Sequence, residues 1–388
     1  MTGLAVPPPG PGPAGPIPAG TVPPGTAAGP CFDELSPGQV FRGAPGITLT
    51  DGLASVHQSI VGQRLALPLD RPLCAAVTGT PGLAPPGLVW DIAIGQSSVV
   101  TQQVRANLFY RGLVFRRAPV LGDTLRTSVA VTAMRQNRPR AGRPPTGLVV
   151  LRITTTDQEG RPVLDFRRCA MLPLRDPARL TGHADELEPA GQPPDPAALA
   201  AVAAGWRLDR FARQAAGAAF ADLQPGQSWD IAGGDVVSSA PELARLTLNI
   251  AAVHHDDQAG GGRRLVYGGH AIGLALTQAA RALPGIVTVA GWHGCDHLGP
   301  VREGDTLRST LTVQRADPLA GGGGLVHLRS VVRADGPNPA DGPNRADGPN
   351  PADSPSPADS PNPADGPGRA DGPAQRPVLD WRFVVIMA

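Results

Sequence analysis

Apolar residues recur with two different periods along the chain, and both periods occur in each half of it. Residues 87–103 and 268–283 carry apolar side chains at helical spacing, and each segment predicts one long helix. Apolar and polar residues alternate after the second segment, in residues 306–314 and 325–333, and this alternation predicts strands. A shorter segment of helical spacing lies at residues 242–250. Long helices followed by antiparallel strands predict the α+β class, with a sheet wrapped around each helix.

The chain contains an internal duplication, because four segments of its first half recur in the same order in its second half. The matched pairs are FDELSPGQ (32–39) with FADLQPGQ (220–227), PVLGDTL (119–125) with PVREGDTL (300–307), GLVVLR (147–152) with GLVHLR (324–329), and RPVLDFRRCAML (161–172) with RPVLDWRFVVIM (376–387). Self-similarity of this kind marks two copies of one structural unit. The sequence therefore predicts repeat 1 over residues 31–175 and repeat 2 over residues 216–388.

Three segments of biased composition do not follow the repeat pattern. Residues 1–30 are rich in Pro and Gly and predict a disordered tail. Residues 176–215 predict a linker with a short helix over its alanine-rich part. Residues 334–373 consist of ADGPNP-like hexads, whose Pro and Gly content excludes both helix and strand. The tract is acidic, which would suit a docking or ion-binding loop, but an expanded turn in a hairpin of repeat 2 is the simpler interpretation.

Composition and charge argue against nucleic acid and membranes as partners. The formal net charge is +1, and all 34 basic residues are Arg, so the sequence offers no basic footprint for nucleic acid or an anionic membrane. Four cysteines without CxxC spacing are too few for a disulfide scaffold and favour a reducing compartment. No apolar run approaches the roughly 20 residues of a membrane span, and the N-terminus has no secretory signal pattern. A cytoplasmic location is therefore expected.

Two motifs resemble those of a known family. GDTL follows a PV pair in both repeats, and YGGHAIGLA (267–275) opens the second long helix. The pattern resembles the MaoC-like acyl-CoA dehydratases of the hot-dog fold, and its duplicated form is most similar to members that hydrate mesaconyl-CoA. The resemblance implies a tandem (double) hot-dog fold and reversible addition of water to an enoyl-CoA, with neither metal nor organic cofactor. The expected reaction converts mesaconyl-CoA into β-methylmalyl-CoA, which is the chemistry of a hydro-lyase.

The resemblance also implies catalytic residues. Hydration needs a base for the water, a proton for Cα and stabilisation of negative charge on the thioester oxygen. The family uses an Asp, a His five residues later and a backbone N–H at the start of the central helix. In TLNIAAVH (247–254), His254 occupies the His position, whereas Asn249 occupies the Asp position. Asn can orient a water but cannot act as a base at neutral pH. Either His254 works with a carboxylate from elsewhere, such as Asp256, or the chemistry is slow or absent. The adjacent His255 is expected at the surface.

Three residues at the start of the second long helix are predicted to meet the thioester. The first N–H groups of a helix are unsatisfied, and glycine allows a close approach, so Gly268 is the predicted oxyanion donor. Tyr267 and Gly269 are predicted to contact the substrate beside it. Arg263 and Arg264 follow a Gly-rich loop and are candidates for the phosphates of CoA. The alternative interpretation of the glycines is a simple turn before the helix. The alternative interpretation of the two arginines is surface charge that keeps the protein in solution.

Repeat 1 lacks the same constellation. Gln63 stands at its Asp position and Pro68 at its His position, and neither side chain can transfer a proton. We therefore expect a degenerate site in repeat 1, whose open groove could hold the acyl tail while repeat 2 supplies the chemistry.

The sequence HGCDH (293–297) has residue types that bind metals. On a strand, alternation would send His293, Cys295 and His297 to one face, but a fourth ligand is lacking. A structural role is the favoured interpretation.

Two other functions remain open at this point. A hot-dog thioesterase would cleave the thioester, and a non-catalytic acyl-CoA-binding protein would bind without turnover, as the Asn at position 249 would allow. The duplication also bears on assembly, because two copies in one chain can pair their sheets internally. A monomer is therefore sufficient, and a homodimer is compatible with the sequence.

Overall fold

The computed structural model describes residues 28–187, 194–214, 217–335 and 375–388. Residues 1–27 of the predicted tail and residues 336–373 of the hexad tract lie outside the described residues.

The two repeats have the same order of main elements. Repeat 1 contains helices α1 (Asp51–Val61), α2 (Ala66–Leu69), α3 (Arg71–Thr78) and α4 (Pro86–Gln96) and strands β1 (Val40–Phe41), β2 (Ile47–Thr48), β3 (Ala106–Phe115), β4 (Thr124–Gln136), β5 (Thr146–Thr156) and β6 (Pro162–Pro173). Helices α5 (Pro196–Ala200) and α6 (Leu208–Ala212) follow it. Repeat 2 contains α7 (Ala240–Leu246), α8 (Gly268–Ala282), β7 (Ser228–Asp230), β8 (Asp235–Val236), β9 (Ile286–His297), β10 (Thr306–Pro318), β11 (Gly324–Asp335) and β12 (Arg376–Met387). Short 3-10 helices lie at Phe32–Glu34, Ser97–Val99, Ala201–Ala203, Phe220–Asp222 and Ala252–His254.

The predicted helices and strands are confirmed, with two differences. The two long helical segments form α4 and α8, and the shorter segment forms α7, but α4 ends at Gln96 and α7 at Leu246, before the ends of the predicted segments at 103 and 250. Each repeat has four long strands rather than the three that the alternation predicted after each helix. The additional strands, β3 and β9, are largely apolar where they pass through the core, so they lack the alternation that reveals a half-exposed strand.

One antiparallel sheet runs through both repeats. Its strand order is β1-β4-β5-β6-β3-β9-β12-β11-β10-β7, with β2 paired to β4 and β8 paired to β10. The repeats meet at the β3–β9 pair, in which Phe109 lies opposite Asp296 and Arg111 lies opposite Gly294. The internal pairing of sheets that the duplication suggested is therefore present, and the fold is a double hot dog of the α+β class.

The central helices α4 and α8 lie side by side against this sheet. All residues of α4 are buried, because the sheet covers one side of it and α8 and the loops of repeat 2 cover the other. Gly95 of α4 is required for this packing, since a Cβ there would overlap the carbonyl of Thr247. A wholly buried helix needs partners for any polar side chain, and Asp91 of α4 is such a residue.

Large aromatic side chains fill the space where the repeats join. The ring of Trp90 on α4 contacts those of Trp292 on β9 and Trp381 on β12, with centroids 5.0 and 6.1 Å apart. Tyr110 on β3 packs edge-on against Trp292 at 5.8 Å. One hydrophobic core therefore spans both repeats, so neither repeat is expected to be stable alone.

The segment between the repeats packs into the hydrophobic core. A helix forms over its alanine-rich part as predicted, at Pro196–Ala200. Its Leu199 is fully buried, and α5 packs on β3 and β9 at the junction of the repeats, while Phe211 of α6 is also buried.

The four cysteines are buried and free. In the described ranges, no helix combines the length and apolar character needed to cross a bilayer.

Candidate active site

Asn249 shapes the loop that carries His254. Its Oδ1 accepts a hydrogen bond of 3.0 Å from the N–H of Ala251, directly before the 3-10 helix Ala252–His254. Its own carbonyl accepts from Nε2 of His255 at 2.6 Å, so His255 is half-buried and engaged with the same loop. The Asn249 side chain is buried, which gives it a positioning role in this structure.

His254 is held in one tautomer with a free basic nitrogen. Its Nδ1 lies 2.7 Å from the carbonyl oxygen of Leu265, and since a carbonyl only accepts, Nδ1 carries the proton. Nε2 has no hydrogen-bond partner among the described residues and is the acceptor nitrogen. Burial lowers the pKa of His254 to about 4, so the imidazole is neutral near pH 7. These are the properties of a general base.

The lowered pKa of His254 predicts an unusual pH profile. Because only the neutral imidazole accepts a proton, kcat/KM is expected to stay level from pH 8 down to about pH 5 and to fall only as the pH approaches about 4. A histidine with its ordinary pKa of about 6.5 would instead lose activity below pH 6.5. Steady-state rates between pH 5 and 8 distinguish the two, and a midpoint near 6.5 would contradict the assignment of His254 as the base.

The start of α8 offers free backbone donors beside a second imidazole. Tyr267 is the residue before the helix, and its carbonyl accepts from the N–H of His270 at 3.0 Å, so the N–H groups of Gly268 and Gly269 lack a partner within the described residues. A Cβ on Gly268 would lie 2.5 Å from Cε1 of His297, which shows that the His297 ring packs directly on this glycine. Nε2 of His297 is buried without a partner, and burial together with nearby His254 lowers its pKa to about 4.

Asp91 connects the two central helices through a buried hydrogen-bond network. Its Oδ2 lies 3.0 Å from Nε2 of His57 on α1, and its Oδ1 accepts from the hydroxyl of Tyr267 at 3.1 Å. Burial raises the pKa of Asp91. Gly269 is necessary for this approach, since a Cβ there would overlap both Oδ1 of Asp91 and the Tyr267 ring. Tyr267 and Gly269, which the sequence predicted as substrate contacts, thus lie in the helix–helix contact directly behind Gly268.

Repeat 1 contributes Arg168 to the same region. Arg168 lies on β6, is buried, and bonds to Oγ1 of Thr101 and to the phenol of Tyr110 on β3. The Tyr110 ring in turn packs edge-on against that of His297, with centroids 5.7 Å apart, so Arg168 lies one residue away from the imidazole on Gly268. Arg168 and Tyr110 were not among the residues predicted from the sequence, and His297 was expected to have a structural role. One signal was available for the first of them, because Arg168 matches Phe383 in the aligned strands of the two repeats.

The predicted CoA-binding arginines lie on the loop between His254 and α8. Arg263 is exposed, and its carbonyl accepts from the guanidinium of Arg302. Arg264 is half-buried and pairs with Asp257 at 3.1 Å and with Glu303 at 3.5 Å. Arg263 is therefore the better placed of the two for an incoming phosphate.

The structure separates other predicted residues from the site. Asp256 is exposed and accepts from the N–H of Gln258, so it does not supply the missing carboxylate. In repeat 1, Gln63 is buried with neither amide atom hydrogen-bonded, and Pro68 lines a small apolar crevice with Pro86 and Phe115. A larger, open cavity borders the same segment and is lined in part by Arg64, Ala66 and Leu73 of repeat 1. The expectation that a groove of repeat 1 holds the acyl tail stays a prediction.

A β-bulge divides the HGCDH sequence between two environments. Trp292 pairs with Phe383 and Gly294 with Arg382, so His293 is an extra residue in β9 relative to β12. His293 stacks on His327 of β11, whereas His297 reaches the start of α8. The prediction that alternating residues share one face is wrong for this reason. Among the described residues, no group of three or more His, Cys, Asp or Glu is arranged to hold a metal ion.

Comparisons with known proteins agree with this architecture. No model of a protein family matches the chain. A β-methylmalyl-CoA dehydratase of Chloroflexus aurantiacus is 28% identical over 319 residues, which cover 79% of this chain and 88% of that protein. A solved double hot-dog protein of Mycobacterium tuberculosis is 49% identical, with a TM-score of 0.78 and coverage of 93% of this chain and 99% of that one. A solved protein described as a MaoC-domain dehydratase, also from C. aurantiacus, is 25% identical, with a TM-score of 0.73 and coverage of 94% and 98%.

The chain resembles both solved structures along nearly their whole length, and its two repeats form one sheet, as expected of a double hot dog. It therefore belongs to the MaoC-like family of double hot-dog proteins.

Proposed function

We propose that the protein is an acyl-CoA hydratase of the hydro-lyase class, which adds water reversibly to an enoyl-CoA. The observation that carries this proposal is that a neutral imidazole with a free Nε2 packs against Tyr267, with ring centroids 5.8 Å apart, directly before the free N–H groups at the start of α8. One group can accept a proton from water, and the other can stabilise charge on the thioester oxygen.

The reaction follows from these two groups. Nε2 of His254 accepts a proton from water as the oxygen bonds to Cβ of the enoyl group. The π-electrons move toward the thioester, and the N–H of Gly268, aided by the dipole of α8, stabilises the resulting enolate oxygen. The imidazolium of His254 then returns the proton to Cα. One water is added across the double bond, and the base is regenerated without a cofactor.

Mesaconyl-CoA is the proposed substrate, and β-methylmalyl-CoA is the proposed product. These two compounds differ by one water, and the relative from C. aurantiacus is named for the dehydration of the second. The exposed Arg263, on the loop between His254 and α8, is the proposed contact for CoA phosphate.

The proposed setting is the cytoplasm, since the buried free cysteines suit a reducing compartment. Because β3 and β9 already join the repeats, the proposed functional unit is a single chain, and a homodimer would be an additional level of assembly.

Product analysis tests the proposal. Purified protein is incubated with mesaconyl-CoA and, separately, with crotonyl-CoA, and the products are followed by mass spectrometry. We expect mesaconyl-CoA to gain one water. Release of free CoA would instead identify a thioesterase, and unchanged substrates that nevertheless bind would identify an acyl-CoA-binding protein; either result would overturn the proposal.

A further inference from the structure

Arg168 is a buried cation without a carboxylate partner in the described part of the chain. The residue is 5% exposed, and its bonds go to the neutral groups of Thr101 and Tyr110. Its Nε is buried and has no hydrogen-bond partner.

Three other arginines with little exposed side chain are each paired with a carboxylate. The side chains of Arg111, Arg117 and Arg376 are 12%, 24% and 17% exposed, and each lies 2.6–2.9 Å from an aspartate oxygen. Burial of an unpaired charge is unfavourable, so the fold normally supplies a counter-ion. Arg168 is more buried than these three and lacks one.

The groups around Arg168 do not provide a negative charge. Burial raises the pKa values of Tyr110 and Tyr267, so both phenols are neutral. Asp91 is committed to His57 and to the Tyr267 hydroxyl and makes no ion pair with Arg168. A bound anion would therefore complete the environment of this guanidinium.

Arg168 also lies close to the start of α8. It bonds to the phenol of Tyr110, whose ring packs against that of His297 with centroids 5.7 Å apart, and the His297 ring packs on Gly268. Arg168 comes from β6 of repeat 1, whereas the proposed base comes from repeat 2.

We propose that Arg168 binds a carboxylate carried by the acyl group of the substrate, so that the site selects dicarboxylyl-CoA thioesters over simple fatty enoyl-CoA thioesters. This inference rests on the proposed function and specifies its substrate class. A planar guanidinium suits a carboxylate because it can donate two parallel hydrogen bonds. An acyl chain that ends in a methyl group would leave the buried charge unpaired.

The kinetic test compares Arg168→Met with Arg167→Met. Arg167 is the adjacent residue and is exposed, so the same change there serves as a matched control. We expect Arg168→Met to lower kcat/KM for mesaconyl-CoA by about 10- to 150-fold, the loss typical of a hydrogen bond to a charged group. The value for crotonyl-CoA is expected to change by less than about threefold, and Arg167→Met is expected to match the wild type. An equal loss on both substrates would mean that Arg168 acts on the thioester oxygen or on the fold, and would overturn the inference.

A binding test separates this inference from the proposed function. Succinyl-CoA and butyryl-CoA are saturated and cannot be hydrated, and they differ in their terminal carboxylate. Calorimetric titration is expected to show that the wild-type protein prefers succinyl-CoA and that Arg168→Met removes this preference. If the preference is present but mesaconyl-CoA is not hydrated, only the proposed function fails. If mesaconyl-CoA is hydrated but no preference exists, only the role of Arg168 fails.

Thermal unfolding provides the control for folding. Because Arg168 is unpaired in the free protein, Arg168→Met is expected to leave Tm unchanged or raised. A clear fall in Tm would show that the guanidinium has a structural role and would count against the inference. Arg168→Lys keeps the charge but not the planar fork, and it is expected to retain part of the preference for succinyl-CoA.

Discussion

Substitution of His254 by alanine is expected to lower kcat for hydration by about 10²- to 10⁴-fold while the protein remains folded. The reason is that Nε2 is the free basic nitrogen at the site, and alanine leaves no group to take the proton from water. Steady-state kinetics with mesaconyl-CoA measure the loss, and circular dichroism checks the fold.

His255→Ala is the matched control for this experiment. His255 is the next residue, but its Nε2 is bound to the carbonyl of Asn249 and it has no role in the proposed chemistry. Its loss is expected to reduce activity by far less than that of His254. Retention of more than a tenth of the wild-type rate by His254→Ala would rule out the proposed mechanism.

Replacement of Trp90 by alanine is expected to lower the free energy of unfolding by about 3–5 kcal/mol. Trp90 is fully buried, and its ring touches three other aromatic rings, of which that of Trp292 is nearest at 5.0 Å. The truncation would therefore open a cavity where the two repeats join, and rigid neighbours on the three strands β3, β9 and β12 could not close it. Urea denaturation of the wild-type and variant proteins measures the change.

Trp229→Ala is the control for the Trp90 variant. Trp229 is half-buried on the short edge strand β7, so its truncation removes less buried surface and leaves a site open to water. A smaller loss of stability is expected. Equal losses for the two variants would show that the junction of the repeats is not the part of the core that Trp90 stabilises.

Much of the fold could be predicted from the sequence because the chain contains two copies of the same pattern. The segments 161–172 and 376–387 match position by position, and the structure places them in equivalent strands, β6 and β12. The β-bulge at His293 could not be predicted, since nothing in the local sequence shows that β9 has one residue more than its partner strand. His293 and His297 therefore lie in different environments, although simple alternation would place them on the same face of β9.

The candidate site was only half predictable for a physical reason. His254 and Gly268 lie near each other in the sequence of one repeat, so a local motif shows them together. Arg168 and Tyr110 come from strands of the other repeat and reach the site only because β3 pairs with β9. No spacing along the chain encodes that approach, although the mismatch between Arg168 and Phe383 marked a difference between the repeats.

The joining of both repeats in one sheet has a consequence for stoichiometry. In a dimer of identical units, every substitution appears at two symmetry-related positions, so two equivalent sites must change together. Here the two positions are encoded separately, and one of them carries Gln63 and Pro68, which cannot transfer a proton, while the other keeps its imidazoles. Each chain should therefore turn over one acyl-CoA molecule at a time. Repeat 2 carries the proposed chemistry, and repeat 1 supports it structurally.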